Sequence, residues 1–118
     1  MPKILVTDDS HFIRNKLAKL LTKHGYEIVQ AGNGIQAVRI YRKDKPDVVL
    51  MDITMPGKNG LEALSEIMQF DPRARVVMLT ALDQKSVAVT AIVSGAKDFL
   101  AKPVRPEQLI ATLEKVLR

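Results

Sequence analysis

Three aspartates stand at the ends of two short apolar runs. Asp8 and Asp9 follow residues 4–6, and Asp52 follows residues 48–51. A short continuous apolar run is typical of a strand that is buried on both faces of a parallel sheet. Open α/β sheets place their chemistry at the carboxyl ends of such strands. One aspartate there is usually only a helix cap, but two strands that carry acid to the same edge indicate a functional site.

The chemistry open to these acids depends on what neutralises them. Neighbouring carboxylates raise each other's pKa unless a cation lies between them. Mg²⁺ prefers one or two carboxylates together with a phosphate oxygen, so Asp8 and Asp9 are predicted to hold Mg²⁺. Asp52 is then free to attack phosphorus and to form an aspartyl phosphate.

Two further strand ends carry side chains that suit a phosphoryl group. Thr80 supplies a hydroxyl and Lys102 an ammonium for its oxygens, on the side away from the metal. Each has an ordinary alternative, because Thr80 could cap the next helix and a lone lysine is usually solvated. Pro103 indicates a tight turn directly after Lys102, of the kind that a cis X-Pro bond forms. Together with the acids they would complete a ring around one site.

Five predicted strands alternate with five predicted helices, which favours a doubly wound α/β fold. The runs that begin at Ile4, Val48 and Val76 are apolar throughout and belong in the centre of a parallel sheet. The runs near Ile28 and Phe99 are mixed and suit the edges. With right-handed crossovers, the predicted strand order is 2-1-3-4-5, flanked by five helices in a flavodoxin-like arrangement. The ligand site of that order lies between strands 1 and 3.

Length and composition limit the class of protein. The 118 residues are predicted to form a single domain, 1–118, with 47% hydrophobic and 26% charged residues. The chain has no cysteine, so it has no disulfide and no thiolate ligand. Neither a signal peptide nor an apolar span of about 18 residues is present, so we expect a cytoplasmic protein. The net charge is +5, but the few aromatic residues form no stacking platform with basic ones, so nucleic acid is not expected as a primary partner.

The motifs, taken in order along the whole chain, resemble the receiver domain of two-component response regulators. They are Asp8-Asp9, residues 52–56, Thr80-Ala81 and residues 95–103, and the stretch from Asp52 through Pro103 is most similar to chemotaxis regulators of the CheY type. Flavodoxin and CheY are the standard examples of the predicted strand order. The resemblance therefore implies a signalling domain rather than an enzyme.

The resemblance also implies a role for each motif residue. Asp52 would accept a phosphoryl group from a histidine kinase, and Mg²⁺, with Mn²⁺ expected to substitute, would be held by Asp8, Asp9, Asp52 and the backbone carbonyl of Thr54. Thr80 and Lys102 would contact the phosphoryl group. Thr80 and Phe99 would act as the switch residues. A downstream protein, or a second copy in a phosphorylation-dependent homodimer, would bind the face made by helix 4, strand 5 and helix 5.

Two stretches depart from the common pattern of that family. Residues 57–59 replace its usual apolar and acidic residues before Gly60, so the detailed shape of this loop is open. Phe99 stands where tyrosine is frequent in the chemotaxis members. A phenyl ring can still turn inward, and it has no hydroxyl that needs a partner when buried.

Other functions fit the sequence less well. A haloacid-dehalogenase-type phosphatase also uses an aspartate nucleophile and Mg²⁺ on a parallel sheet, but residues 52–54 lack its second aspartate. A flavin carrier would need a phosphate-binding loop after the first strand, where Asp8 and Asp9 would repel phosphate. Within the receiver class, a phosphorelay intermediate and a receiver cut from a longer regulator remain alternatives to a motility regulator.

Two helices carry unusual surface patterns. The first has Arg14, Lys16, Lys19 and Lys23 and no acid over residues 10–26. This basic side is either a solvated face or, as the resemblance implies, the surface that docks the kinase.

The fourth helix, predicted over residues 84–94, is apolar nearly all round. Ala88, Ala91, Ile92 and Gly95 are predicted to form its stripe on the sheet. Val89 and Val93 would then pack under a neighbouring helix, remain singly exposed, or help to form the output surface beside Phe99.

Overall fold

A computed structural model describes residues 1–81 and 85–118. The strands are β1 (Lys3–Thr7), β2 (Glu27–Ala31), β3 (Val48–Asp52), β4 (Val76–Thr80) and β5 (Asp98–Ala101). The helices are α1 (His11–Lys23), α2 (Gly34–Asp44), α3 (Gly60–Phe70), α4 (Lys85–Val93) and α5 (Pro106–Leu117). The five strands form one parallel sheet in the order β2-β1-β3-β4-β5, which confirms the predicted topology. Within these residues, no helix combines the length and the apolar character that crossing a membrane requires.

The apolar runs form the central strands, where helices cover both faces of the sheet. Every residue of β3 and β4 is buried, and β1 is buried from Ile4 onward. The outer strands β2 and β5 are less covered, because each has one buried residue and otherwise half-buried or exposed ones. Thr7 at the end of β1 pairs with Met51 of β3, so the residues that follow both strands emerge side by side.

The two faces of the sheet bury separate cores. Helices α2, α3 and α4 pack on one face, where Leu5 and Met51 of the sheet lie in the same cluster as Leu64. Helices α1 and α5 pack on the other face, where Leu50 lies in the same cluster as Leu113. Because successive strand residues point to opposite faces, each central strand contributes to both cores. The sheet is therefore held rigidly from both sides beneath the edge that carries the acids.

Three helices begin with side-chain caps. The side chains of Ser10, Asn33 and Asn59 each accept the backbone N–H three residues later. Glu62 returns the bond to the Asn59 backbone and completes a capping box. Such caps satisfy N–H groups that a helix leaves unpaired at its start, so these helices start close to the sheet edge.

The orientation of α4 differs from the prediction. Ala88 and Ala91 are buried as expected, but Ile92, which was predicted to face the sheet, is 39% exposed. Val87 packs on the core instead. The buried stripe is therefore centred near Ala91, and the next residue points about 100° away from it. Gln84, where the helix was predicted to begin, lies outside the described residues.

Gly60 lets the start of α3 lie against the end of β3. A Cβ atom at this position would lie 2.2 Å from the carbonyl oxygen of Asp52 and 2.8 Å from the Cα of Ile53. Both neighbours are backbone atoms at the end of β3, in Asp52 and in the residue that follows it, so neither can move without displacing the candidate nucleophile. Gly60 also donates its N–H to the Ile53 carbonyl at 2.8 Å.

We therefore expect Gly60→Ala to lower the free energy of unfolding by about 1–3 kcal/mol, the usual cost of forcing extra atoms into a packed site. Gly32→Ala is the matched control, because its nearest atom would be Arg14 Nη1 at an ordinary 3.4 Å. Urea denaturation of the two variants and the parent measures the difference. Equal stabilities would show that α3 can move away from β3 without cost.

Candidate functional site

The three predicted carboxylates meet at the carboxyl edge of the sheet. Asp8, Asp9 and Asp52 each offer an oxygen, and these oxygens lie within 4.8 Å of one another. Asp8 and Asp52 are 1% and 5% exposed, whereas Asp9 is exposed. The pairing of β1 with β3 brings the three residues together. The cluster therefore has a buried floor of two acids and an open side at Asp9.

Lys102 follows β5 and reaches across β4 to the buried acids. Its Nζ lies 2.9 Å from Oδ2 of Asp8 and 3.2 Å from Oδ1 of Asp52. Its backbone N–H also donates to the carbonyl of Thr80 at 2.7 Å. The Lys102–Pro103 peptide bond is cis. The side chain predicted to meet a phosphoryl group thus contacts the predicted nucleophile directly.

The electrostatics of the cluster follow from this geometry. Burial raises the pKa of the Asp52 carboxyl, and although the Lys102 ammonium opposes this, the charge of Asp8 adds to it. Burial by itself would lower the pKa of Lys102, but its hydrogen bond to Asp8 and the charge of Asp52 raise that pKa above its ordinary value. Lys102 therefore stays charged, yet one ammonium cannot balance three carboxylates. An excess of negative charge remains at this edge.

That excess, and the identity of the donors, fit a hard divalent cation. Mg²⁺ takes oxygen ligands and keeps several waters, so it favours sites that combine a few carboxylates with an open side. Asp8, Asp9 and Asp52 supply the carboxylates. Thr54, whose carbonyl was predicted as a further ligand, is exposed next to the same strand end, and its backbone N–H donates to the Asp52 carboxylate.

Sequence reasoning missed how many groups hold Asp8. Its N–H donates to the Ala31 carbonyl at 3.2 Å, and its Oδ1 accepts the N–H of Ser10 at 2.9 Å. Its carbonyl accepts a hydrogen bond from Nη1 of Arg14 at 2.6 Å. Ser10 is also the cap of α1, and the sequence shows Arg14 only as one of several basic residues on that helix. Neither contact has a sequence signal, because both depend on where α1 starts relative to β1.

The predicted switch residues lie on β4 and β5. Thr80 is buried at the end of β4, and its hydroxyl donates to the carbonyl of Ala81 at 2.8 Å. Thr80 pairs with Ala101, so it shares the edge with Lys102. Phe99 lies further back on β5, and the residue is 36% exposed. In this structure Phe99 is therefore partly exposed, and the Thr80 hydroxyl is hydrogen-bonded to the backbone of the next residue.

Comparison with known proteins gives a consistent family assignment. Residues 4–114 match the response regulator receiver domain. The chain is 44% identical to the chemotaxis protein CheY of Thermotoga maritima over 115 residues, which cover 97% of this chain and 96% of the relative. It is also 44% identical over 116 residues to the chemotaxis protein CheY of Bacillus subtilis, with 98% and 97% of the two chains covered.

A solved structure agrees with these relatives. The receiver domain of a response regulator from Clostridium thermocellum superposes with a TM-score of 0.96 at 31% identity, over 99% of this chain and 94% of that one. This agreement extends the likeness from the sequence motifs to the whole arrangement of sheet and helices. The chain therefore belongs to the response regulator receiver domain family of two-component systems, and within it is CheY-like.

Proposed function

We propose that this receiver takes a phosphoryl group from a histidine kinase onto Asp52 in a Mg²⁺-dependent reaction, and that phosphorylation changes its α4/β5/α5 surface to control a partner protein. The observation that carries the proposal is the position of Asp52. Its carboxylate lies 3.2 Å from the Lys102 ammonium and within one cluster with Asp8 and Asp9. The names of its CheY relatives favour a partner of the chemotaxis or motility type.

The transfer step follows from the groups that surround Asp52. One carboxylate oxygen of Asp52 attacks phosphorus, the bond between phosphorus and the donor's imidazole nitrogen breaks, and that nitrogen keeps the electron pair. Lys102 neutralises charge on the phosphoryl oxygens, and Thr80 donates its hydroxyl to one of them. Asp8, Asp9, Asp52 and the Thr54 carbonyl would hold Mg²⁺, which when bound offsets the negative charge of the transferred group.

Incubation with acetyl phosphate and Mg²⁺ tests the assignment of the nucleophile. The expected result is one added phosphoryl group per chain, measured by intact-protein mass spectrometry. Asp52→Ala removes the attacking oxygen, so it should show no added mass. Excess chelator should also suppress labelling of the parent, since three acids facing one lysine repel an anionic donor.

Labelling of Asp52→Ala at the parent level would refute the assignment, and equal labelling in chelator would refute the metal dependence. Arg39→Ala is a suitable control for the handling of the protein. Its side chain is exposed on α2 and lines a surface groove away from the three acids. It should label as the parent does.

The basic side of α1 is the proposed docking surface for the kinase. Lys16, Lys19 and Lys23 are exposed on α1. Lys16 also lines an apolar groove of about 310 Å³ that Pro103 and Val104 close from the other side. A partner docked here would lie beside Lys102, which contacts Asp52. Positive charge at the rim of such a surface accelerates encounter with an acidic partner.

We expect Lys16→Glu combined with Lys19→Glu to slow phosphotransfer from the cognate histidine kinase by at least about tenfold at low salt, with labelling by acetyl phosphate unchanged. The matched control is Arg39→Glu combined with Lys43→Glu, which makes the same charge change on exposed residues of α2. Rapid-quench kinetics measure the rates. Equal rates for all three proteins would show that the basic side of α1 is only a solvated face and does not dock the kinase.

The output surface is proposed from the exposed apolar side chains of α4. Val89 and Val93 are 59% and 84% exposed, and Ile92 and Phe99 are partly exposed as well. In the proposed switch, phosphate draws the Thr80 hydroxyl toward Asp52 and away from the Ala81 carbonyl. Phe99 then turns inward and shifts the population of this surface.

Val89→Lys should abolish phosphorylation-dependent association with the partner, or dimerisation where the partner is a second copy, because it places a charge in the apolar contact. The measurement is analytical ultracentrifugation or partner binding with and without beryllofluoride as the phosphoryl mimic. Ile35→Lys is the matched control, since Ile35 is similarly exposed on α2. Unaltered association of folded Val89→Lys would show that this surface is not the output face.

A further inference from the structure

Arg14 connects three elements at the candidate site through one guanidinium group. Its Nη1 donates to the backbone carbonyl of Asp8 at 2.6 Å, and its Nε donates to Oε1 of Gln30 on β2 at 3.2 Å. Its Nη2 lies 3.2 Å from Nδ1 of His11 at the start of α1. The group is partly buried, and its planar fork has a fixed geometry. It therefore holds the end of β1 in a set position relative to β2 and α1.

The carbonyl that Arg14 holds belongs to the peptide unit between Asp8 and Asp9. A peptide unit is planar, so the direction of this carbonyl also determines the direction in which the chain enters Asp9. Asp8 has three other restraints, through its N–H and both carboxylate oxygens. Among the described residues, none gives the Asp9 carboxylate a hydrogen bond. Its direction thus depends on the backbone that Arg14 holds.

We propose that Arg14 is a positioning residue for divalent cation binding: it fixes the Asp8–Asp9 peptide unit and thereby aims the Asp9 carboxylate at the cation shared with Asp8 and Asp52. This inference rests on the proposed Mg²⁺ site and adds a residue that does not touch the ion. Groups that orient metal ligands from behind commonly change metal affinity by 10–100-fold when they are removed.

The sign of the effect separates positioning from simple electrostatics. Arg14 carries a positive charge close to the acids, and a cation is repelled by like charge. If Arg14 acted only through its charge, its removal would tighten Mg²⁺ binding. If it acted only on the stability of the fold, its removal would lower the free energy of unfolding without changing Mg²⁺ affinity in the folded protein. Positioning alone predicts weaker binding.

The experiment is a titration of the intact chain with MgCl₂, followed by amide chemical shifts or calorimetry at a temperature where circular dichroism shows full folding. We expect the Kd of Arg14→Gln for Mg²⁺ to rise about tenfold. Arg14→Lys keeps the charge but loses the fork, so it should remain weakened. Arg39→Gln is the matched control, because it removes one arginine charge from an exposed position of α2 and should bind as the parent does.

Gln30→Ala provides a second variant in case Arg14→Gln does not fold. Gln30 is exposed on the edge strand and accepts a hydrogen bond from Nε of Arg14, so its loss should weaken Mg²⁺ binding in the same direction by a smaller factor. An unchanged or lower Kd in folded Arg14→Gln, or in Gln30→Ala if that is the variant that folds, would overturn the proposal. If the parent itself binds no Mg²⁺, the proposed metal site fails, which is a distinct outcome.

Discussion

The repulsion among three carboxylates at one sheet edge constrains the rest of this structure. Asp8 and Asp52 are buried, and among the described residues the ion pairs that they form are both with Lys102. Burying uncompensated charge is costly, so the surrounding fold must hold this arrangement against a force that would separate β1 from β3. Both strands are central, fully paired and covered by helices on both faces. The stability needed for the site is therefore supplied by two apolar cores that contain no part of the reacting groups.

The segments that follow the strands set the positions of the buried acids relative to this rigid sheet. Gly60 brings the first turn of α3 against the backbone of Asp52. On the other side, Ser10 and Arg14 hold the side chain and the carbonyl of Asp8 from α1. Asp8 and Asp52 are thus located by contacts from the first turns of α1 and α3. The two buried acids of the site are therefore held in place by the fold itself.

The remaining surfaces differ in chemical character from one side of the molecule to another. Helix α1 presents lysines beside the groove that Pro103 closes, whereas α4 presents valines beside β5. Ala88 and Ala91 seat α4 on the sheet through small side chains, which leaves its larger apolar residues outside. Lys102 and Thr80 lie between these two regions. In the proposed function, the phosphoryl group is delivered to Asp52 from the α1 side and changes the surface on the α4 side.

The sequence by itself determined the strand order, the five helices and the convergence of Asp8, Asp9, Asp52, Thr80 and Lys102 on one edge. Those features follow from runs of apolar residues and from the polar or charged residues at their ends. Both are local patterns in the sequence. Only the tertiary structure decided which face of α4 meets the sheet, because an all-round apolar helix has no preferred stripe and Ile92 could be placed on either side. It also decided that Arg14 holds the Asp8 carbonyl. This hydrogen bond depends on how α1 packs against the end of β1, and no periodic pattern in the sequence indicates it.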